Sequence, residues 1–214
     1  MNRMRRYAPG LLLTGLALAS LLLTYRSDSI SAPEQASLGG NYFFRDARMT
    51  LAGEDGRAAL AVNSGSATRS LQDATLKLEP VSIRRSDPQA WSLVADSAEL
   101  PPGNAGIVAR GNLRMTFGAT EEWAATARSA TILDDGTSIT LTGGVHVHKP
   151  LGGAVGSAIF GEHIILEPGS MTARTDRPVR LRIGDFEFEA NGLNAQIGEQ
   201  IITLESDVRS IGNP

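Results

Sequence analysis

A chain of 214 residues is long enough for one sizeable domain and a short appendage. Its formal charge of −3 offers no basic field for nucleic acid, and 42% apolar content excludes a mostly disordered polymer. Cysteine is absent, which rules out a disulfide framework, a thiolate metal site, a cysteine nucleophile and a cysteine-linked lipid anchor.

The first element is an apolar run from Leu11 to Leu23, preceded by Arg3, Arg5 and Arg6 and bordered by Tyr7 and Tyr25. As a helix rising about 1.5 Å per residue, residues 7–25 come close to spanning the ~30 Å core of a bilayer. The arginines predict a cytoplasmic stub at residues 1–6, with the rest of the chain outside. A cleaved signal peptide is the rival reading. Its small-residue site, Ala17-Leu18-Ala19, lies inside the apolar run, and Arg26 and Asp28 follow that run closely. Residues 26–40, rich in Ser, Ala and Gly, read as a linker. The expectation is a single-pass membrane protein whose folded domain, residues 41–214, stands outside the cytoplasm.

From Asn41 onward the apolar pattern has period two, which places alternate residues on opposite faces of a strand. In Ile107–Phe117, residues Ile107, Ala109, Leu113, Met115 and Phe117 point in, while Arg110, Arg114 and Thr116 point out. Ser138–His148 has Ile139, Leu141, Gly143, Val145 and Val147 on the dry side and His146 and His148 on the wet side. Val179, Leu181 and Ile183 alternate with Arg180 and Arg182. Gly184-Asp185 then makes a type II′ turn, and Phe186, Phe188 and Ala190 alternate with Glu187 and Glu189. Arginines on one arm of that hairpin face glutamates on the other. Ile202, Leu204 and Val208 alternate with polar residues near the end. No amphipathic helix is predicted after residue 40.

Five short motifs begin at Val81, Leu113, Val145, Val179 and Val208, spaced 32, 32, 34 and 29 residues apart. Eighteen positions before each stands Asn63, Ala95, Ala127, Gly161 or Ala190, nearly all small. A period near 30 with strand alternation means stacked β units. Turn signals fall at Pro101–Asn104, at Asp134-Asp135-Gly136 and at Pro168-Gly169. The stacked units predict an all-β slot open at both ends, with unpaired edges on its terminal strands.

The run Ala127–Pro150, centred on Leu-Thr-Gly-Gly-Val-His-Val-His-Lys at Leu141–Lys149, and the run Thr175–Arg182, Thr-Asp-Arg-Pro-Val-Arg-Leu-Arg, resemble the LptC family of lipopolysaccharide-export proteins. The likeness extends from Asn41 to the C-terminus and takes in the anchor. The repeat is shared with LptA and OstA-type domains, and the retained anchor favours LptC. The resemblance implies a twisted β-jellyroll, an open antiparallel sandwich of stacked repeats. It also implies an anchor in the inner membrane and a folded domain in the periplasm. It implies a protein that receives lipopolysaccharide from an inner-membrane ABC transporter (LptBFG-like) and passes it to a periplasmic LptA-like protein. The lipid-lining positions would be Leu113, Met115, Phe117, Val145, Val147, Val179, Leu181, Phe186 and Phe188. The partner edges would lie at Tyr42 and Phe44 and at Ile202, Leu204 and Val208.

Other chemistry finds less support in the residues. His146 and His148 with His163 supply no identifiable third metal ligand, and a solvated outer face is expected. Glu121-Glu122, Asp134-Asp135 and Glu187/Glu189 sit at turns or on wet faces, where carboxylates are ordinary. No Gly-rich lysine loop for phosphate is present. No catalytic residue, metal or cofactor is expected. Arg114, Arg180 and Arg182 read as solvated, with a lipid phosphate as the alternative. Trp91 and Trp123 are expected to pack at the sheet edge. The alternative function is an anchored or soluble OstA-like module that serves only as a protein-interaction scaffold.

Overall fold

The computed structural model describes residues 41–52, 58–85, 90–103, 106–118, 123–133, 136–149 and 156–211. The expected membrane helix at 7–25 and the linker at 26–40 lie outside the described residues. Among the described residues no helix is long and apolar enough to cross a membrane.

The described residues form twelve antiparallel strands: β1 (Tyr42–Ala52), β2 (Ala58–Arg69), β3 (Leu76–Arg85), β4 (Trp91–Ala95), β5 (Ser97–Leu100), β6 (Ile107–Phe117), β7 (Trp123–Leu133), β8 (Ser138–His148), β9 (Ser157–Glu167), β10 (Thr172–Ile183), β11 (Phe186–Gln196) and β12 (Ile201–Ser210). They make one sheet in nearly sequential order, with the short β4 and β5 sharing the place of one strand between β3 and β6. A 3-10 turn at Ile197–Glu199 joins β11 to β12. The hairpin at Gly184-Asp185 forms as the sequence predicts, with φ 58 at Gly184 and no positive φ at Asp185. Arg180 on its first arm holds both Glu187, at 3.0 Å, and Glu189, at 3.1 Å. All three side chains are at least a third exposed, so these pairs are worth only tenths of a kcal/mol.

A lone sheet must cover its apolar face, and here it covers itself. Trp91 stands opposite Phe117, at one end of β6. Gly136 follows β7, whose Ile132 stands opposite Ile107, at the other end of β6. A straight strand would hold those ends ~33 Å apart. Yet the indole Nε1 of Trp91 donates to the Gly136 carbonyl at 3.0 Å, in a buried bond. The strands therefore bend at their middles, and their two ends form lips that meet.

The bend is made by backbone at positive φ. Asp46 in β1, Gly111 and Asn112 in β6, Gly143 and Gly144 in β8, Gly192 in β11 and Asp207 in β12 all adopt it, in mid-strand. Glycine does so without steric cost, and Asn and Asp tolerate it. Side chains on the outer face brace this crease. Asn112 Nδ2 donates to Asp96 Oδ2 at 2.8 Å, and Asn191 Nδ2 donates to Asp207 Oδ2 at 2.7 Å. Arg128 pairs with Glu162 at 3.4 Å, and the Gly144 N–H donates to the same carboxylate at 3.3 Å.

The repeat motifs mark the crease. Leu113, Val145 and Val208 each directly follow one of its positive-φ residues. Val81 lies beside Ala95, Leu113 beside Ala127, and Val145, Gly161, Val179 and Ala190 follow one another across four strands. The small residues of the repeat thus alternate with its larger ones along the inside of the fold.

Both tryptophans depart from expectation. Trp91 is 2% exposed, and Trp123 is buried beside Phe117. They lie on inner strands at one lip, where the fold closes over them; the period of the sequence does not reveal that closure.

Gly143 sits at φ 86, and an added Cβ would fall 2.6 Å from Arg128 Nε. Gly161 lies at the same crease without a positive φ, and a Cβ there would meet only ordinary contacts at 3.6 Å or more. Gly143→Ala should therefore cost on the order of 1–3 kcal/mol in urea unfolding, and Gly161→Ala should be neutral or stabilising by up to about 1 kcal/mol. Equal effects at the two sites would disprove the crease as the strained element.

Candidate functional site

The inner face of the folded sheet is a pair of apolar walls. One is a ladder of directly opposed residues running Met49, Val62, Ile83, Leu93, Met115, Ala125, Val147, Ile159, Leu181 and Phe188, from β1 to β11. The other lies across the crease: Ile107, Ile132, Ile139, Leu166, Ala173, Ala195 and Ile202, from β6 to β12. Strand alternation points these side chains inward, and register stacks them across the sheet. Nearly all are buried, several completely, so the walls close on a dry interior. Such packing stabilises by about 1.5–3 kcal/mol per large side chain.

The nine positions expected to line the slot fall into three rows. Leu113, Val145 and Val179 stand at the crease; Met115, Val147, Leu181 and Phe188 stand in the first ladder; Phe117 and Phe186 stand at the lip. Seven of them are buried, and Phe188 is half-buried against the core. Phe186 requires a correction. It has the inward parity but is 64% exposed. It follows directly on the Gly184-Asp185 turn, at the rim of the sheet, where the opposite wall no longer covers it. The second wall was largely passed over as lipid-lining, although Ile132, Ile164, Leu166 and Leu193 show the same alternation in β7, β9 and β11.

The two terminal strands continue the inner face into solvent. Phe44 extends the row of Ala67, Leu78 and Ala98, and is 52% exposed. Tyr42, beside Arg69, is 54% exposed. At the far end Ile202 and Leu204 lie opposite Ala195 and Leu193, half-buried, and Val208 is 52% exposed. Among the described residues β1 pairs only with β2, and β12 only with β11. Each end of the sheet therefore has an unpaired strand edge beside exposed apolar side chains.

The outer face carries a stack that the solvated reading of the histidines did not anticipate. His146 lies 4.4 Å from His148 and 4.4 Å from Phe160, nearly parallel to both. The Arg182 guanidinium sits 5.6 Å from the Phe160 ring centre. Nε2 of His146 and Nδ1 of His148 and His163 are buried with no hydrogen-bond partner among the described residues. The rings come together because register sets Phe160 opposite His146. Among the described residues no three His, Asp or Glu side chains converge on a metal position. Glu187 and Glu189 are both engaged by Arg180, and the pairs Glu121-Glu122 and Asp134-Asp135 lie outside the described residues.

Burial, then the adjacent His148 and Arg182, lower the His146 pKa from its ordinary 6.5. The unfolded chain takes a proton at His146 near pH 6.5, and the folded chain only at lower pH. This contribution to stability is whole above pH 6.5 and is lost as pH falls through the lowered value. His146→Phe, which keeps the ring stack, should flatten the fall in unfolding midpoint between pH 7 and pH 5. An identical pH profile in parent and variant would show that the stack does not depress the imidazole.

Residues 111–212 match the family model described as lipopolysaccharide-assembly, LptC-related. The structure is similar to a crystal structure of LptH, the LptA-homologous periplasmic component of the conserved lipopolysaccharide transport device from Pseudomonas aeruginosa. The similarity has a TM-score of 0.50 at 17% identity and covers 58% of this chain and 95% of the LptH chain. It shows a shared fold. No curated protein matches the chain.

Proposed function

We propose, for a chain whose residues 111–212 match the LptC-related family model, that the folded sheet is a non-enzymatic lipopolysaccharide conduit. It receives the lipid from an inner-membrane ABC transporter of LptBFG type at its β1 mouth. It passes the lipid along the slot to a periplasmic LptA-like protein paired with β12. The apolar run within residues 7–25 holds it to the inner membrane as a single span.

The observation that carries this reading is the continuity of the inner face. Apolar side chains run unbroken from Phe44 and Met49 to Ile202 and Leu204, and among the described residues each terminal strand leaves its outer edge unpaired. An acyl chain crossing an aqueous compartment loses about 0.8 kcal/mol for each CH₂ exposed to water. A wall without polar interruption removes that cost along its whole length. Strand addition at β1 and β12 would join this wall to those of neighbouring β proteins without a wet gap. The slot supplies no free energy of its own, which the reading assigns to the transporter.

A compact diazirine side chain at Val147, on the inner wall, should form a lipopolysaccharide adduct in the native envelope. The adduct should need ATP hydrolysis by the transporter. The same group at His146, one residue away on the outer face, should give none. Protein adducts alone at Val147 would instead identify the domain as an interaction scaffold.

A further inference from the structure

We propose that Asp46 is one half of an open clasp. Its carboxylate accepts a hydrogen bond from an asparagine side chain that stands beside a glycine, at the bend of a partner's strand added to β1. This rests on the strand addition at β1 in the conduit reading. It adds what fixes the partner's register and which strand can serve.

The fold makes this clasp twice within itself. Among the described residues, three with side chains adopt positive φ in mid-strand: Asp46 at 51, Asn112 at 38 and Asp207 at 50. Two of them are tied to a neighbouring strand. Asn112 follows Gly111 in β6 and donates from Nδ2 to Asp96 Oδ2 at 2.8 Å, in the step between β4 and β5. Asn191 precedes Gly192 in β11 and donates from Nδ2 to Asp207 Oδ2 at 2.7 Å, in β12. Both glycines have positive φ, 78 and 86. A carboxamide that donates to a carboxylate makes a charge-assisted bond, stronger than a neutral one. The two clasps share one pattern: an aspartate at the crease of one strand, and an asparagine next to a positive-φ glycine in its neighbour.

Asp46 supplies the aspartate and lacks the asparagine. Arg45 stands opposite Ser66 and Ala47 opposite Ser64, so β2 presents Gly65 at the crease with no carboxamide on either side of it. Arg45 is turned to Phe43, 5.9 Å from the ring centre. Among the described residues no donor holds the Asp46 carboxylate. β2 is the only neighbour of β1 among those residues, so the missing half has its place on the free edge. A hollow of about 640 Å³ on the outer face, bordered by Asp46, Arg48, Asn63 and Ser82, leaves room for an incoming side chain. At φ 51 a glycine would serve without steric cost, so the aspartate meets a need that lies outside the described residues. A second copy of this chain is the wrong partner. Its open strand β12 brings Asp207 to the crease, and carboxylate would face carboxylate. The occupant is therefore a different β protein, with an Asn-Gly or Gly-Asn pair at the bend of its edge strand.

The test keeps the full chain in the native envelope, with a diazirine at Arg48 on the same edge and adducts mapped to the residue by mass spectrometry. In the parent, the transporter adduct should fall within a few residues of an asparagine that neighbours a glycine. Asp46→Gly keeps the backbone conformation and removes the carboxylate. It should cut that adduct at least fivefold with an unchanged urea midpoint. Asp46→Asn keeps an acceptor and loses the charge, and should cut the adduct at least twofold. Asn191→Ala breaks a clasp inside the fold, so it should lower the urea midpoint and leave the adduct within twofold of the parent. If Asp46→Gly loosens β1 and lowers the midpoint, the Asp46→Asn adduct decides. An undiminished adduct in both Asp46 variants, or one mapped to a strand without asparagine at its bend, would refute the clasp and leave the strand addition intact. No transporter adduct at Arg48 in the parent would overturn the strand addition at β1 and the clasp together. The lipopolysaccharide adduct at Val147, read in parallel, would then say whether the conduit survives.

Discussion

The rest of the structure depends on one constraint: a β-sheet with a wholly apolar face must bury that face, and the described residues supply no second layer to do it. The sheet satisfies the requirement by folding over itself, with positive-φ bends in the middle of β1, β6, β8, β11 and β12. Everything else follows from that bend. It sets two apolar walls opposite each other, brings Trp91 to Gly136, and leaves the first and last strands as open ends. A helix packed on the sheet would also have buried the face, but it would have sealed it. Self-coverage instead leaves the outer edges of β1 and β12 unpaired among the described residues.

The same bend sorts the polar chemistry. Positive φ turns the backbone sharply and interrupts strand pairing, as the register shifts between Arg110 and Leu113 and between Thr142 and Val145 show. Side chains on the outside brace these points, among them Asp96 with Asn112 and Asp207 with Asn191. These groups stay wet or find one another, so the crease needs no buried charge. The interior is then free of polar side chains apart from Ser64 and Thr175, the only buried polar residues among those described. Both of these hydroxyls are engaged locally, Ser64 with the Ser66 carbonyl at 2.6 Å and Thr175 with the Arg177 N–H at 3.2 Å.

Much of this was legible in the sequence because period two is a local property. The pattern in Ser138–His148 gave the strand, its two faces and its buried members. The repeat was visible too, yet its meaning was not. Val145 and Leu113 were read as units of a stack, when they also mark the residue after a bend. The signal was present in Gly143-Gly144 and Gly111-Asn112, which precede them. Phe186 shows the limit of parity: alternation says which way a side chain points, not how far the facing wall extends. The His146–Phe160 stack lay out of reach for another reason, since it needs the register between β8 and β9, set by a bulge and a loop rather than by composition. The tryptophans were misplaced because a lip exists only once the sheet has folded.

A bend fixed by backbone dihedrals behaves unlike one held by interlocking side chains. Its angle is set by φ at a handful of glycine, asparagine and aspartate positions, whatever fills the space between the walls. Parting the walls of such a fold would leave the spine alone and move the covers. The give must come at the free margins, as in a sewn book that opens at its fore-edge, and repeated opening leaves the strand order intact.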